Sequence, residues 1–124
     1  MNDALMKLLL IIIAGITVIS GTAQILFGEF ILNIIAYNTS PDAIHLFATV
    51  GMFMVVTGGL FFHSLVTRNG ERVVSIWIAV QKLAAAVFVT LAWKNGIFAP
   101  LSLGVAGFDL FTGILAFLFW KRLS

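Results

Sequence analysis

The chain has 124 residues, of which 61% are hydrophobic and only 10% charged. A soluble domain carries about a quarter charged residues, so seven bases and five acids cannot cover the surface of a soluble fold this size. A surplus of two positive charges is no basic patch, which excludes a nucleic-acid binder together with a cytosolic globular enzyme. Cysteine is absent, and with it any disulfide, thiolate metal site or cysteine nucleophile.

A transmembrane helix needs about 20 mostly apolar residues. In chain order, the first qualifying span covers residues 5–27. Its Lys7, the run Leu8 to Ile19 and the small residues Ser20-Gly21-Thr22-Ala23 resemble a signal peptide, but the segment is read here as a membrane span. Residues 30–37 are apolar and too short to cross, so they are expected as an interfacial helix or a helical extension beyond Gly28. Asn38-Thr39-Ser40 matches a glycosylation sequon, but the following Pro41 discounts it. Ser40-Pro41 reads as an N-cap with proline at the first helical position, opening the second span, 41–66. Asn69-Gly70 is a short turn into the third span, 71–93. Asn95-Gly96 is the next turn, and the fourth span is expected over 98–120 with Pro100 in its first turn. Membrane strands would alternate apolar and polar residues, and runs such as Leu8 to Ile13 do not. The expectation is all-α: one transmembrane domain over 1–124, a left-handed, antiparallel, up-down-up-down four-helix bundle.

Lysine and arginine set the orientation. Lys7, Arg68, Arg72, Lys121 and Arg122 fall at one end of the bundle, and Lys94 alone at the other. Both termini are therefore expected in the cytoplasm, in the inner or plasma membrane of a bacterium or archaeon. Trp77 and Trp120 lie toward the basic end; Tyr37 and Trp93 lie toward the opposite end, as aromatic belts would.

Two charges break the apolar pattern. Lys82 lies in the middle of the third span and Asp109 in the middle of the fourth. Lys82 is ten residues from Arg72 and Asp109 is twelve from Lys121, or about 15 and 18 Å from the same edge at helical rise. Helical spacing puts Ser75, Ala79, Ala85, Ala86 and Val89 on the face of Lys82, and Ser102, Ala106, Thr112, Gly113 and Ala116 on that of Asp109. Small residues allow close helix packing in lipid, so the two faces should meet and pair Lys82 with Asp109. Such a pair either fixes helix register or forms a working polar site, proton-linked or anchoring a ligand head group.

Thr17, Ser20, Gly21, Gln24 and Gly28 form one stripe on the first span, which reads either as helix packing or as the lining of an interior cavity. Gln24 and Glu29 would then line an outward-facing cavity above the pair, with Ser20, Thr17, Gln81 and Thr112 as further candidates for its wall. Gln81 points about 100° away from Lys82, toward a partner on another helix. His45 and His63 sit about 27 Å apart at opposite ends of the second span and cannot share a metal or ligate one haem within a monomer. Gly51, Gly58 and Gly59 mark a packing face. The sequence contains no phosphate loop, nucleophile elbow or metalloprotease motif.

Taken together, the four spans, the long first connection before Ser40-Pro41-Asp42, the glycines of the second span, the Arg68-Asn69-Gly70 turn and the Lys82 and Asp109 positions resemble the DoxX-like small membrane proteins. The resemblance covers most of the chain. It implies a four-helix bundle and accessory work beside a quinone-linked redox complex, such as thiosulfate oxidation systems, and it implies no catalytic residue. Small multidrug exporters share the size and span count, but they carry a buried glutamate in the first helix, where this chain has only Glu29 at its edge.

The sequence thus leads to a non-catalytic accessory or scaffold subunit that binds a partner or a lipid- or quinone-like ligand. No cofactor or metal is expected. The partners expected are membrane lipid, a membrane redox complex or further copies of the chain. The alternatives are a small proton-coupled transporter using the same pair and, ranked last, a quinone- or lipid-handling enzyme.

Overall fold

The computed structural model describes residues 1–123, and among these it is helical with no sheet. The helices are α1 (Asp3–Leu26), α2 (Gly28–Ile35), α3 (Pro41–Thr67), α4 (Glu71–Lys94) and α5 (Ser102–Arg122). Four of them, α1, α3, α4 and α5, are long and apolar enough to cross a membrane. The chain is therefore an α-helical membrane bundle, in which α1 packs chiefly on α3 and α4 chiefly on α5.

Local chemistry explains the helix ends. The Asn2 side chain accepts from the Leu5 N–H at 2.7 Å and caps α1. Ser40 caps α3 by accepting from the Ala43 N–H at 3.1 Å, and Pro41 follows at a position that has no N–H to satisfy. The α3–α4 turn runs through left-handed backbone at Arg68 (φ 55°) and Gly70 (φ 69°), and Gly96 (φ 75°) reverses the chain after α4. Of the segment 30–37, residues 30–35 belong to the short helix α2, which opens at Gly28 after a break at Phe27 (φ −129°, ψ 32°), while Ala36 is already extended.

The last span starts later than its apolar run suggests. Phe98 is not helical; it forms an antiparallel bridge with Ala36. Tyr37 N–H donates to the Ile97 carbonyl at 3.2 Å, and Ala99 N–H donates to the Ile35 carbonyl at 2.7 Å. Pro100 lies in a turn that precedes α5, so α5 opens at Ser102. This bridge ties the first connection to the third at the end of the bundle opposite the termini.

Packing is uneven along the bundle. The apolar core consists of Met6, Leu10, Ile13 and Ala14 of α1, Phe61 and Leu65 of α3, Ile78 and Ala79 of α4, and Leu115, Ala116 and Phe119 of α5. All of these lie between the middle of the spans and the basic end. In lipid the gain is close van der Waals contact rather than removal of apolar surface from water. Ion pairs close the basic end: Lys7 with Glu71 at 3.2 Å, and Arg122 with Asp3 at 2.7 Å. The Lys7–Glu71 contact lacks hydrogen-bond geometry, leaving the buried Glu71 Oε2 paired by charge alone. Arg122 also donates to the Met1 carbonyl at 2.6 Å, so the two ends of the chain meet. The Arg72 guanidinium stacks on Trp120, 5.1 Å from the ring centroid.

Toward the other end, α1 and α3 approach until their backbones touch. A Cβ on Gly21 would run into the Gly51 carbonyl, and one on Gly51 would run into the Gly21 carbonyl. A Cβ on Gly58 would press on Thr17 and Val18 of α1. Gly51 and Gly58 are thus the packing face expected of them, whereas Gly59 has open space beside it.

Candidate functional site

The lysine of α4 and the aspartate of α5 meet. Lys82 Nζ lies 3.4 Å from Asp109 Oδ1, and each residue is only 8% exposed. The faces that carry them are the expected ones. Ser75, Ala79 and Ala86 are buried beside Lys82, and Ser102, Ala106, Thr112, Gly113 and Ala116 are buried beside Asp109. The backbones are offset by about one turn: a Cβ on Gly113, four residues past Asp109, would lie 3.2 Å from the Leu83 N atom. Lys82 therefore sits opposite Gly113, and its long chain reaches along α5 to Asp109. At 3.4 Å the contact is looser than a short charge-assisted bond of about 2.7–2.9 Å.

A third helix completes the site. Lys82 Nζ also donates to Thr17 Oγ1 of α1 at 3.2 Å. The Thr17 hydroxyl spends its own proton on the Ile13 carbonyl at 3.0 Å, which turns its lone pairs toward the ammonium. On a further side the Phe108 ring stands 5.8 Å from Nζ, within reach of a cation–π contact. One cation thus joins the α1–α3 pair to the α4–α5 pair. Gln81, on a different face of α4, adds a second tie: its Nε2 donates to Thr57 Oγ1 of α3 at 3.4 Å.

The remaining candidates separate. Thr17 and Thr112 are buried; Thr112 lies one turn from Asp109 and its hydroxyl finds no partner among the described residues. The Ser75 hydroxyl is in the same condition on the α4 face. Gln24 is half-buried and donates to the Phe47 carbonyl at 3.0 Å, tying α1 to α3 beside the glycine crossing. Ser20 is exposed on the outside of α1 and so does not face the interior. Glu29 is exposed at the start of α2 and does not join Gln24. His45 and His63 are both exposed.

Glu29 instead lines two open clefts at the end opposite the termini. One, about 630 Å³, is walled by Glu29, Thr39, Ser40, Pro41, Ile44, His45 and Ala48. The other, about 540 Å³, is walled by Ile25, Leu26, Phe27, Gly28, Glu29, Phe30, Asn33 and Ile44. Glu29 and Ile44 belong to both. Sequence reasoning missed this arrangement because it depends on how α2 folds back beside α3. The role of Phe108 was missed as well, since an aromatic next to a buried charge has no spacing signature.

No protein-family model, curated protein or solved structure matches the chain.

Proposed function

We propose that the protein is a non-catalytic accessory or scaffold subunit of the bacterial or archaeal plasma membrane, with both termini in the cytoplasm. The observation that carries this reading is the arrangement around Lys82. Its ammonium is shared between Thr17 and Asp109 on two other helices and is closed off from the basic end by the apolar core. A charge committed to internal partners holds helices together and has little left for chemistry. The lipid-facing surface is then the working surface, where a membrane partner, a lipid or a quinone-like molecule docks. The resemblance to DoxX-like proteins supports a redox complex as that partner. Extraction in mild detergent followed by mass spectrometry tests this: a partner protein, with retained lipid or quinone, is expected to co-purify. Recovery of the bare chain alone would contradict it.

A second reading, a small proton-coupled transporter, is favoured by one observation. Thr112 and Ser75 carry buried hydroxyls without partners, on the same helix faces as Asp109 and Lys82. Groups of that kind can hold water and pass protons. Reconstituted alone in liposomes, a transporter of this type acidifies the lumen or drives pH-dependent uptake, whereas an accessory subunit gives no flux at any pH.

A further inference from the structure

Positive charge at the basic end exceeds what the protein itself balances. Lys7, Arg68, Arg72, Lys121 and Arg122 lie there against two acids, Asp3 and Glu71. Both acids are spent, Glu71 on Lys7 and Asp3 on Arg122. Arg68, Arg72 and Lys121 have no carboxylate partner among the described residues. Aromatic rings gather two of these three. The Arg72 guanidinium of α4 lies 5.1 Å from the Trp120 centroid, Trp120 lies 5.5 Å from Phe117, and Lys121 Nζ lies 5.9 Å from the Phe117 centroid. Phe117, Trp120 and Lys121 share one side of α5 by helical spacing. The rings thus hold two cations on one wall of the α4–α5 pair, where the helices reach the head-group layer.

We propose that this cluster binds a phospholipid of net negative charge, its phosphate head group at Arg72 and Lys121 and an acyl chain along α5. The proposal names a lipid for the function proposed above and rests on the lipid-facing surface being the working surface. Charge complementarity selects the head group, because two cations without a carboxylate of their own attract a phosphate. A zwitterionic head group also brings an ammonium, which finds only further cations here, since Asp3 and Glu71 are already paired. The surface below the cluster selects a lipid over a soluble anion. Leu110, Ile114, Phe117 and Lys121 fall on one line along α5, and the three apolar members are exposed. From Lys121 to Leu110 the line runs about 16 Å at helical rise. One leaflet's hydrocarbon is about 15 Å deep. An acyl chain whose phosphate sits at Lys121 therefore stays beside α5 to the middle of the membrane.

Native mass spectrometry of the chain tests this, using mixed micelles with equal amounts of glycerol and choline phospholipids of identical acyl chains. The glycerol lipid is expected to be retained about thirtyfold over the choline lipid, the ratio that two cations at the membrane surface supply. Arg72→Gln with Lys121→Gln, both at exposed positions and checked for helicity by circular dichroism, should bring the ratio close to one. Arg68→Gln with Lys94→Gln removes the same charge outside the cluster and should keep the preference. Arg72→Lys with Lys121→Arg should keep it as well. Glycerol phosphate, a head group without acyl chains, should not displace the lipid. Equal retention of the two lipids by the parent chain overturns the proposal. An equal loss in both neutralised pairs, or displacement by glycerol phosphate, overturns it too. Because the isolated chain is measured, failure to capture a partner leaves this readout intact, and a chain that captures its partner without a lipid preference sinks this inference alone.

Discussion

At the scale of the residue, the site rests on how one ammonium distributes its protons. Lys82 has three donors; Thr17 takes one and Asp109 another, while the Phe108 face covers a further side. Of these contacts, the pair with Asp109 carries opposite charges, and the Thr17 bond is a neutral acceptor on a neighbouring helix. Polar bonds between membrane helices average about 0.6 kcal/mol. Thr17→Val, which keeps the shape and removes the hydroxyl, should therefore cost about 0.6 kcal/mol in a reversible unfolding titration. A loss several times larger would mean that Thr17, rather than Asp109, is the main partner of Lys82. The pair itself was legible in the sequence, because two charges at similar depth on antiparallel neighbours have few ways to avoid each other. Their one-turn offset was not, since depth counted from the span ends ignores where Gly113 lets α4 and α5 touch.

At the scale of the element, glycine decides how close helices come. The α1–α3 crossing has no room for a Cβ at Gly21 or Gly51, whereas Gly59 on the same helix has space beside it. Gly51→Leu should therefore destabilise the bundle by about 1–3 kcal/mol or more, the range for overpacking a tight contact. Gly59→Leu should stay close to the parent. Thermal unfolding of both variants in one detergent makes the comparison, and equal effects would contradict the crossing. Spans one to three were legible to within a residue or two because capping and turn chemistry mark their ends: Ser40-Pro41, Asn69-Gly70 and Asn95-Gly96 stand where helices start or stop. The start of the fourth was not. Phe98 and Ala99 are equally at home paired with the segment Ile35 to Tyr37, and only the presence of that partner, followed by the turn at Pro100 and Leu101, decides against a helix there. The short helix α2 is a similar case, because its face matters only where it meets α3 and opens the clefts around Glu29.

At the scale of the whole molecule, two helix pairs stand side by side, clamped at one end by ion pairs and at the other by a backbone bridge. The absence of cysteine makes the topology directly testable. Single cysteines in place of Asn38 and Asn69, which lie in the first and second connections, should be labelled from opposite sides of sealed vesicles. With cytoplasmic termini, Asn69→Cys reacts only from the cytoplasmic side. Labelling of both from one side would break the four-span layout. The central claim is that Lys82 and Asp109 form one buried unit between α4 and α5, which Lys82 ties to α1 through Thr17. Unfolding measurements on Lys82→Met, Asp109→Leu and the double variant test it most directly. Either single change strands a charge near mid-membrane and should cost about 2.5–3.5 kcal/mol. The double variant should return close to the parent, because apolar side chains replace a buried pair with little loss. Three variants of equal stability, or a double variant as weak as the two losses added together, would contradict the account.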